Sequence, residues 1–110
     1  MGIPGLTPYA QEAEPLVQRS IAAGSIGASY SIVGSIFSDP VVCLIIVSTL
    51  NGAVQISLDG TNHFLPIPAG GTLIIDEKTN GIVLAGWRGV YVQDLDNPTT
   101  GSLYVSGFTL

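Results

Sequence analysis

The sequence predicts an all-β fold: a seven- to eight-stranded antiparallel β-sandwich of jelly-roll-like type over residues 21–110, preceded by an extended N-terminal arm over residues 1–20. The chain has 110 residues, enough for one domain with one core. Short apolar segments alternate with turn signals about every 8 to 12 residues, the spacing of a sandwich or small barrel, and no helical period of useful length competes with it. A content of 46% apolar and 10% charged residues excludes disorder over most of the chain.

The first twenty residues differ from the rest of the chain. They contain Pro4, Pro8 and Pro15 and show neither a helical nor a strand period. Since proline lacks the N–H needed for full pairing in a sheet, we expect an extended arm. Residues 21–36, rich in Gly, Ser and Ala, are expected to lead into a first strand at about residues 30–37.

The strongest turn signal is Asn51-Gly52, between the apolar run of residues 41–50 and the alternating segment of residues 53–58. An Asn-Gly pair favours a type I′ turn, in which both central residues have positive φ. This pattern predicts a hairpin over residues 41–58. The remaining strands are expected at about residues 62–66, 72–76, 82–87, 89–95 and 102–108.

Residues 41–50 are apolar on both alternating faces, whereas an antiparallel strand with one solvated face should alternate with polar residues. A sandwich of this size has one interior layer, so a second cover is needed. The sequence leaves two sources open, the N-terminal arm or another subunit. With the sparse charge, this predicts a homo-oligomer or a chain bound to a larger assembly.

Charge and hydropathy exclude two classes of partner. Eight acidic residues oppose three basic ones, Arg19, Lys78 and Arg88, for a net charge of −5. A nucleic-acid-binding protein needs a basic surface, so direct binding of nucleic acid is not expected. The longest apolar run, residues 41–47, is far shorter than the roughly 20 residues of a spanning helix, and no membrane partner is expected.

The sequence contains few residues for catalysis. It has one histidine, His63, one cysteine, Cys43, and one lysine, and Cys43 lies within an apolar run, where a buried thiol is expected. We expect no enzyme activity, no metal site and no cofactor. The polar segment Asp94–Asn97 offers oxygen ligands for calcium, but it lacks the spacing of a calcium loop and is interpreted as a turn.

Two groups of residues are candidates for contact with a protein partner. Trp87, Arg88 and Tyr91 combine residue types that are enriched at interface hot spots, although Trp87 in the core beside a solvated Arg88 is an equal alternative.

Tyr91 and Tyr104 alternate with the apolar residues of their strands, on the side that carries polar residues. They are expected to form an aromatic patch for a sugar or a protein. Residues 59–64 are interpreted as a turn that enters a strand, with His63 outward and Phe64 inward; a binding loop is the alternative.

The arm carries the second group, Ile3, Leu6 and Tyr9. These side chains are expected to enter apolar pockets of a neighbouring subunit, because twenty extended residues reach up to roughly 60 to 70 Å. The alternative is an arm that folds back over the domain's own sheet and covers residues 41–50.

From about residue 51 to residue 108 the chain also carries a series of turn and strand motifs. They are Val54-Gln55-Ile56-Ser57-Leu58-Asp59-Gly60, His63-Phe64-Leu65-Pro66, Pro68-Ala69-Gly70-Gly71-Thr72-Leu73, Asp76, Thr79-Asn80-Gly81, Val90-Tyr91-Val92 and Gly101-Ser102-Leu103-Tyr104-Val105-Ser106. This part of the chain resembles small virion proteins of tailed bacteriophages.

The resemblance implies a β-sandwich with a structural role in the virion, which assembles in the bacterial host cytoplasm. It implies binding to the major capsid protein or to other virion subunits as a capsid decoration or cement protein. A head-fibre, tail or head–tail accessory protein is the alternative within the particle. A receptor- or carbohydrate-binding module, using the tyrosine patch or the loops near His63 and Trp87, is the alternative from another class.

Overall fold

The computed structural model describes residues 12–13, 19–76 and 83–109. Their strands form two antiparallel sheets, and only one short 3-10 turn, Ala23–Ser25, is present among them. The prediction of an all-β sandwich is confirmed, but the described residues form nine strands and not the seven or eight expected. The strands are β1 Glu12–Ala13, β2 Arg19–Ala22, β3 Ser31–Ile32, β4 Val41–Ser48, β5 Val54–Ser57, β6 Leu65–Ile67, β7 Thr72–Asp76, β8 Tyr91–Asp94 and β9 Ser102–Thr109.

The two sheets divide the strands by position rather than by chain order. In the first sheet β9 pairs with β4 on one side and with β1 and β2 on the other, while β4 also pairs with β7. The second sheet has the order β3-β8-β5-β6. No helix among the described residues is long and apolar enough to cross a membrane.

The core lies between the sheets and follows the two-residue period of the strands. In β4, Leu44 and Ile46 are fully buried, and their register partners Gly107 and Val105 in β9 face the same layer. A bulge between Val41 and Cys43 interrupts this pairing at the start of β4. The other fully buried apolar side chains include Val33, Phe37, Val54, Ile56, Val90, Val92 and Leu103.

The expected hairpin over residues 41–58 is wrong, because β4 belongs to the first sheet and β5 to the second. Residues 49–53 cross between the sheets, and neither Asn51 nor Gly52 has a positive φ. Asn51 instead fixes the neighbouring loop: its Oδ1 accepts from Thr99 N at 2.8 Å and from Thr100 N at 3.2 Å. Polar groups of the distant 99–100 loop, which the local pattern does not include, determine this conformation.

The strand bounds agree best where apolar alternation is sustained. Residues 72–76 form β7 as expected, whereas the segment of residues 30–37 contributes only β3 and a single bridge between Phe37 and Arg88. The expected strand over residues 82–87 is wrong in its described part. There Leu84 makes one bridge to Val41, and Trp87 lies in a turn with φ 64°.

The N-terminal arm falls largely outside the described residues, and so do Ile3, Leu6 and Tyr9. Two described pieces of this region pair with β9 of the same chain. Glu12 is opposite Thr109 in β1, and β2 begins at Arg19, opposite Val105.

Arg19 connects β2 to the segment that follows β3. Its side chain is buried and its guanidinium carbon lies 3.7 Å from the centroid of the Phe37 ring. Nε donates to Ser35 O at 2.6 Å and Nη2 donates to Ile36 O at 2.8 Å. The cation therefore holds an edge of the sandwich together and is not part of the exposed surface.

Candidate binding surfaces

The outward side of the first sheet carries apolar side chains along β4, with the polar residues Thr72, Asp76 and Ser106 among their register partners. Because Leu44 and Ile46 face the core, the alternate residues of β4 point away from it, and the register places residues of β7 and β9 beside them. Ile45 is opposite Ile74, and Val47 is opposite Tyr104. We call this surface the apolar outer face; it consists of Cys43, Ile45, Val47, Ile74, Tyr104 and Phe108.

The apolar outer face is only partly covered by the described residues. Ile74 is 62% exposed and Val47 is 37% exposed, while Cys43 and Ile45 are half-buried. The inner side of β4 is covered as expected. The cover expected for its outer side is incomplete within the part of the chain that the structure describes.

Cys43 lies half-buried at one end of this face. Burial raises the pKa of its thiol, and the nearby Asp76 carboxylate raises it further. A thiol with a raised pKa is a poor nucleophile at neutral pH because little thiolate is present. Within the described residues, no group of three or more His, Cys, Asp or Glu side chains is arranged to hold a metal ion.

The outward side of the second sheet is polar. Gln55 is opposite Gln93, and Ser57 is opposite Tyr91. Gln93 Nε2 donates to Ala28 O at 2.7 Å, and Gly60 lies over the Tyr91 ring, so that a Cβ at Gly60 would be 3.3 Å from the ring edge. Loops therefore cover part of this face.

Tyr91 and Tyr104 lie in different sheets, on opposite outward sides of the sandwich. The expected patch that combines them is therefore wrong. Each tyrosine lies among polar residues on one side of its own strand, and this pattern correctly predicted that both side chains point outward. The pattern within a strand does not show which sheet the strand joins.

Trp87 is 72% exposed, so the alternative that places it in the core is wrong. Its φ of 64° is unusual for a residue other than glycine or asparagine, and its N–H donates to Phe37 O at 2.8 Å. Arg88 is also exposed. The role of Trp87, Arg88 and Tyr91 in partner binding stays a prediction.

A second exposed aromatic site surrounds His63, whose Nδ1 is hydrogen-bonded to the Tyr30 hydroxyl. The two rings are 5.7 Å apart between centroids. Phe64 is 41% exposed, so the expectation that it points inward is wrong. The sequence separation of 33 residues between Tyr30 and His63 left no local signal from which this pair could be predicted.

The loop before His63 is organised by one carboxylate. Asp59 Oδ1 accepts from the N–H groups of Asn62 and Thr61, each at 2.8 Å, and from the Ser57 hydroxyl at 2.9 Å. The Asn62 N–H has the largest effect, and together these donors hold the pKa of Asp59 well below its usual range. Desolvation, and then the Asp59 charge, raise the pKa of Tyr30.

The described residues contain no pocket for a small molecule. Small ligands are usually bound in concave sites, whereas the surfaces found on this sandwich are open faces and an exposed loop. Comparison of the chain with protein-family models, curated proteins and solved structures gave no match.

Proposed function

We propose that this chain is a non-enzymatic structural component of a bacteriophage virion, a capsid decoration or cement protein. In this proposal it binds major capsid subunits through the apolar outer face and an extended N-terminal arm, and its sandwich has jelly-roll-like topology. The virion assignment comes from the resemblance of residues 51–108 to virion proteins. The mode of binding comes from the surfaces of the sandwich.

The apolar outer face is the observation that carries the proposal. A solvated face of an antiparallel sheet normally carries polar side chains, yet here Ile45, Val47 and Ile74 are neighbours on it. Contiguous exposed apolar surface on a small protein is a mark of a protein interface. An open face without a pocket fits a protein surface better than a small molecule.

The arm extends the proposed interface. Residues 1–11 precede β1, which pairs at the edge of the first sheet with the end of β9. An extended segment of eleven residues reaches up to about 40 Å. In this proposal, Ile3, Leu6 and Tyr9 enter apolar pockets of a neighbouring subunit.

The test uses purified phage heads that lack this protein. The heads come from the phage that encodes the chain. Recombinant full-length chain is added, and binding is measured by co-sedimentation and by the fluorescence of Trp87, the only tryptophan. We expect saturable binding that is reduced at least about 10-fold by Val47→Lys and by deletion of residues 1–11. Ile36→Lys, at a residue that is likewise 37% exposed but not on the apolar outer face, is the matched control.

Circular dichroism must show that each variant keeps its β structure. If the folded wild-type chain does not bind heads, or if Val47→Lys and Ile36→Lys bind equally well, the proposed mode of binding is wrong. Loss of binding on Val47→Lys alone would assign the interface to the sheet and not to the arm.

The site around Tyr30 and His63 favours a second candidate function, a carbohydrate-binding module. The hydrogen-bonded Tyr30–His63 pair offers hydroxyl and imidazole groups of the kind that bind sugars, and the next residue in the chain, Phe64, has an exposed aromatic ring. A glycan array distinguishes the two functions. Glycan binding that is lost on His63→Ala, without binding to heads, would support the carbohydrate-binding alternative.

A further inference from the structure

We propose that β7 is a self-association edge: Thr72–Asp76 pairs antiparallel with the same strand of a second copy, about a two-fold axis at Ile74. This joins the first sheets of two copies into one continuous sheet. The inference concerns copies of this chain alone and does not depend on the virion role.

Within the part of the chain that the structure describes, β7 has backbone groups that point away from β4 and that no other strand pairs. At the end of β4, Ser48 N donates to Gly71 O on the β7 side at 2.8 Å, and the next residue, Thr49, donates its N–H to Ser102 O on the β9 side at 2.9 Å. Directions alternate along a strand, so Ile45 directs its N–H and C=O toward β9. Ile74 is opposite Ile45 and therefore directs its own N–H and C=O away from β4.

The same alternation directs the backbone groups of Thr72 and Asp76 to the outer edge of β7. Among the described residues, only β4 pairs with β7, on its other side. Thr72, Ile74 and Asp76, which alternate along β7, thus present backbone donors and acceptors along its outer edge. That is the pattern a new antiparallel strand requires.

The sequence of β7 is complementary to itself about Ile74. A two-fold axis there places Ile74 opposite Ile74 of the second copy, and Thr72 opposite the second copy's Asp76. The carboxylates then face hydroxyl groups instead of each other. The three outward-directed residue pairs would exchange about six backbone hydrogen bonds. Leu73 and Ile75 alternate with them, and each is opposite the other across the axis.

The other edges of the sandwich are protected against such pairing. In β6, Pro66 occupies the middle of a three-residue strand and has no N–H to donate. β3 has only two residues, and the opposite edge of the first sheet is divided between β1 and β2. β7 contains no proline, lysine or bulge, three of the devices by which edge strands avoid pairing, and its one charged residue, Asp76, is the last residue of the strand.

Exposure at β7 agrees with a missing neighbour. Leu73 and Ile75 pack against the core yet remain partly exposed, and Ile74 is 62% exposed. A second β7 would cover the edge side of all three residues. It would also place two apolar outer faces side by side on the same surface of the joined sheet.

The test exchanges charge at the proposed axis. We expect sedimentation velocity to show that the wild-type full-length chain forms dimers at about 100 μM. Ile74→Lys and Ile74→Glu should each weaken dimerisation at least about 100-fold, because like charges then face each other. An equimolar mixture of Ile74→Lys and Ile74→Glu should form a heterodimer, because opposite charges then meet at the axis. Ile36→Lys, a charge at an exposed isoleucine in the segment that follows β3, should dimerise like the wild type.

Circular dichroism and thermal unfolding show whether the variants fold, and Ile74 is exposed enough that both should. A monomeric wild-type chain at this concentration would overturn the proposal. So would a dimer that Ile74→Lys leaves intact, or a mixture of the two folded variants that stays monomeric. Heads that bind a monomeric wild-type chain would overturn this inference while leaving the proposed function standing.

Discussion

Gly52 offers a sharp test of how the two sheets are connected. A Cβ added at this buried position would lie 2.9 Å from Asp96 O and 3.2 Å from both Pro98 N and Pro98 Cα. All three are backbone atoms, so no flexible side chain can move aside. The loop that carries them is tied to the same segment, since Asp96 N donates to Ala53 O at 3.1 Å and Thr99 N to Asn51 Oδ1 at 2.8 Å.

The magnitude follows from opposing effects. Overpacking against a fixed neighbour costs about 1 to 3 kcal/mol. Replacing glycine also reduces the entropy of the unfolded chain, which stabilises the protein by about 0.4 to 1 kcal/mol. Gly52→Ala should therefore lower the free energy of unfolding by about 1 to 2 kcal/mol, a fall in Tm of about 5 to 15 °C for a domain of this size. Gly52→Val adds two further carbons and should cost about 3 kcal/mol or more.

Thermal and urea unfolding, followed by circular dichroism, measure these changes. Gly24→Ala is the matched control, because a Cβ there would meet no atom within 4 Å. It should be neutral or slightly stabilising. Gly52→Asn shows why glycine is needed at this position. If Gly52 had a positive φ, asparagine would be the mildest replacement; if the backbone of Asp96 and Pro98 leaves no room for a side chain, asparagine is worse than alanine. If Gly52→Asn is milder than Gly52→Ala, the steric reasoning is refuted.

Three further outcomes are expected from the described contacts. Arg19→Met should lower the free energy of unfolding in urea by about 2 to 4 kcal/mol, because the hydrogen bonds to Ser35 O and Ile36 O and the contact with Phe37 are lost. Asp59→Asn should lower Tm at neutral pH, and the difference from the wild type should shrink as pH falls below about 4. The Asp59 carboxyl has a lower pKa in the folded than in the unfolded chain, so it stabilises the fold only where it is ionised, and this contribution is lost in acid. Alkylation of Cys43 by iodoacetamide should have a pH midpoint above that of a free thiol, in the direction of the raised pKa; a midpoint at or below the free-thiol value would contradict it.

Much of the strand content could be predicted from the sequence, because a two-residue apolar period is set by local chemistry. Residues 72–76 hold a short apolar run between turn signals, residues 102–106 place Leu103 and Val105 between polar or aromatic neighbours, and the two segments form β7 and most of β9. The apolar run of residues 41–50 likewise predicted a strand, and residues 41–48 form β4.

Sheet membership could not be predicted in the same way. The pattern of Asn51-Gly52 is local, but the choice between a hairpin and a crossing depends on partners far along the chain, here the 99–100 loop. The Tyr30–His63 pair also depends on the finished fold. The turn at Trp87 is tied to Phe37 by a backbone hydrogen bond across fifty residues of sequence, so its exposure followed from tertiary structure and not from hydrophobicity.

The apolar outer face and the β7 edge meet at Ile74, and this determines how the two proposed interfaces relate. Pairing of β7 with a second copy uses backbone groups in the plane of the sheet, whereas a capsid subunit on the outer face would contact side chains perpendicular to it. The two interfaces therefore do not compete for the same atoms, except at the Ile74 side chain. Val47→Lys should weaken binding to heads and leave the dimer intact, because Val47 lies on β4, one strand inward from the β7 edge. Ile74→Lys should weaken both binding to heads and dimerisation. The different effects of these two variants distinguish binding through the apolar outer face from pairing at the β7 edge.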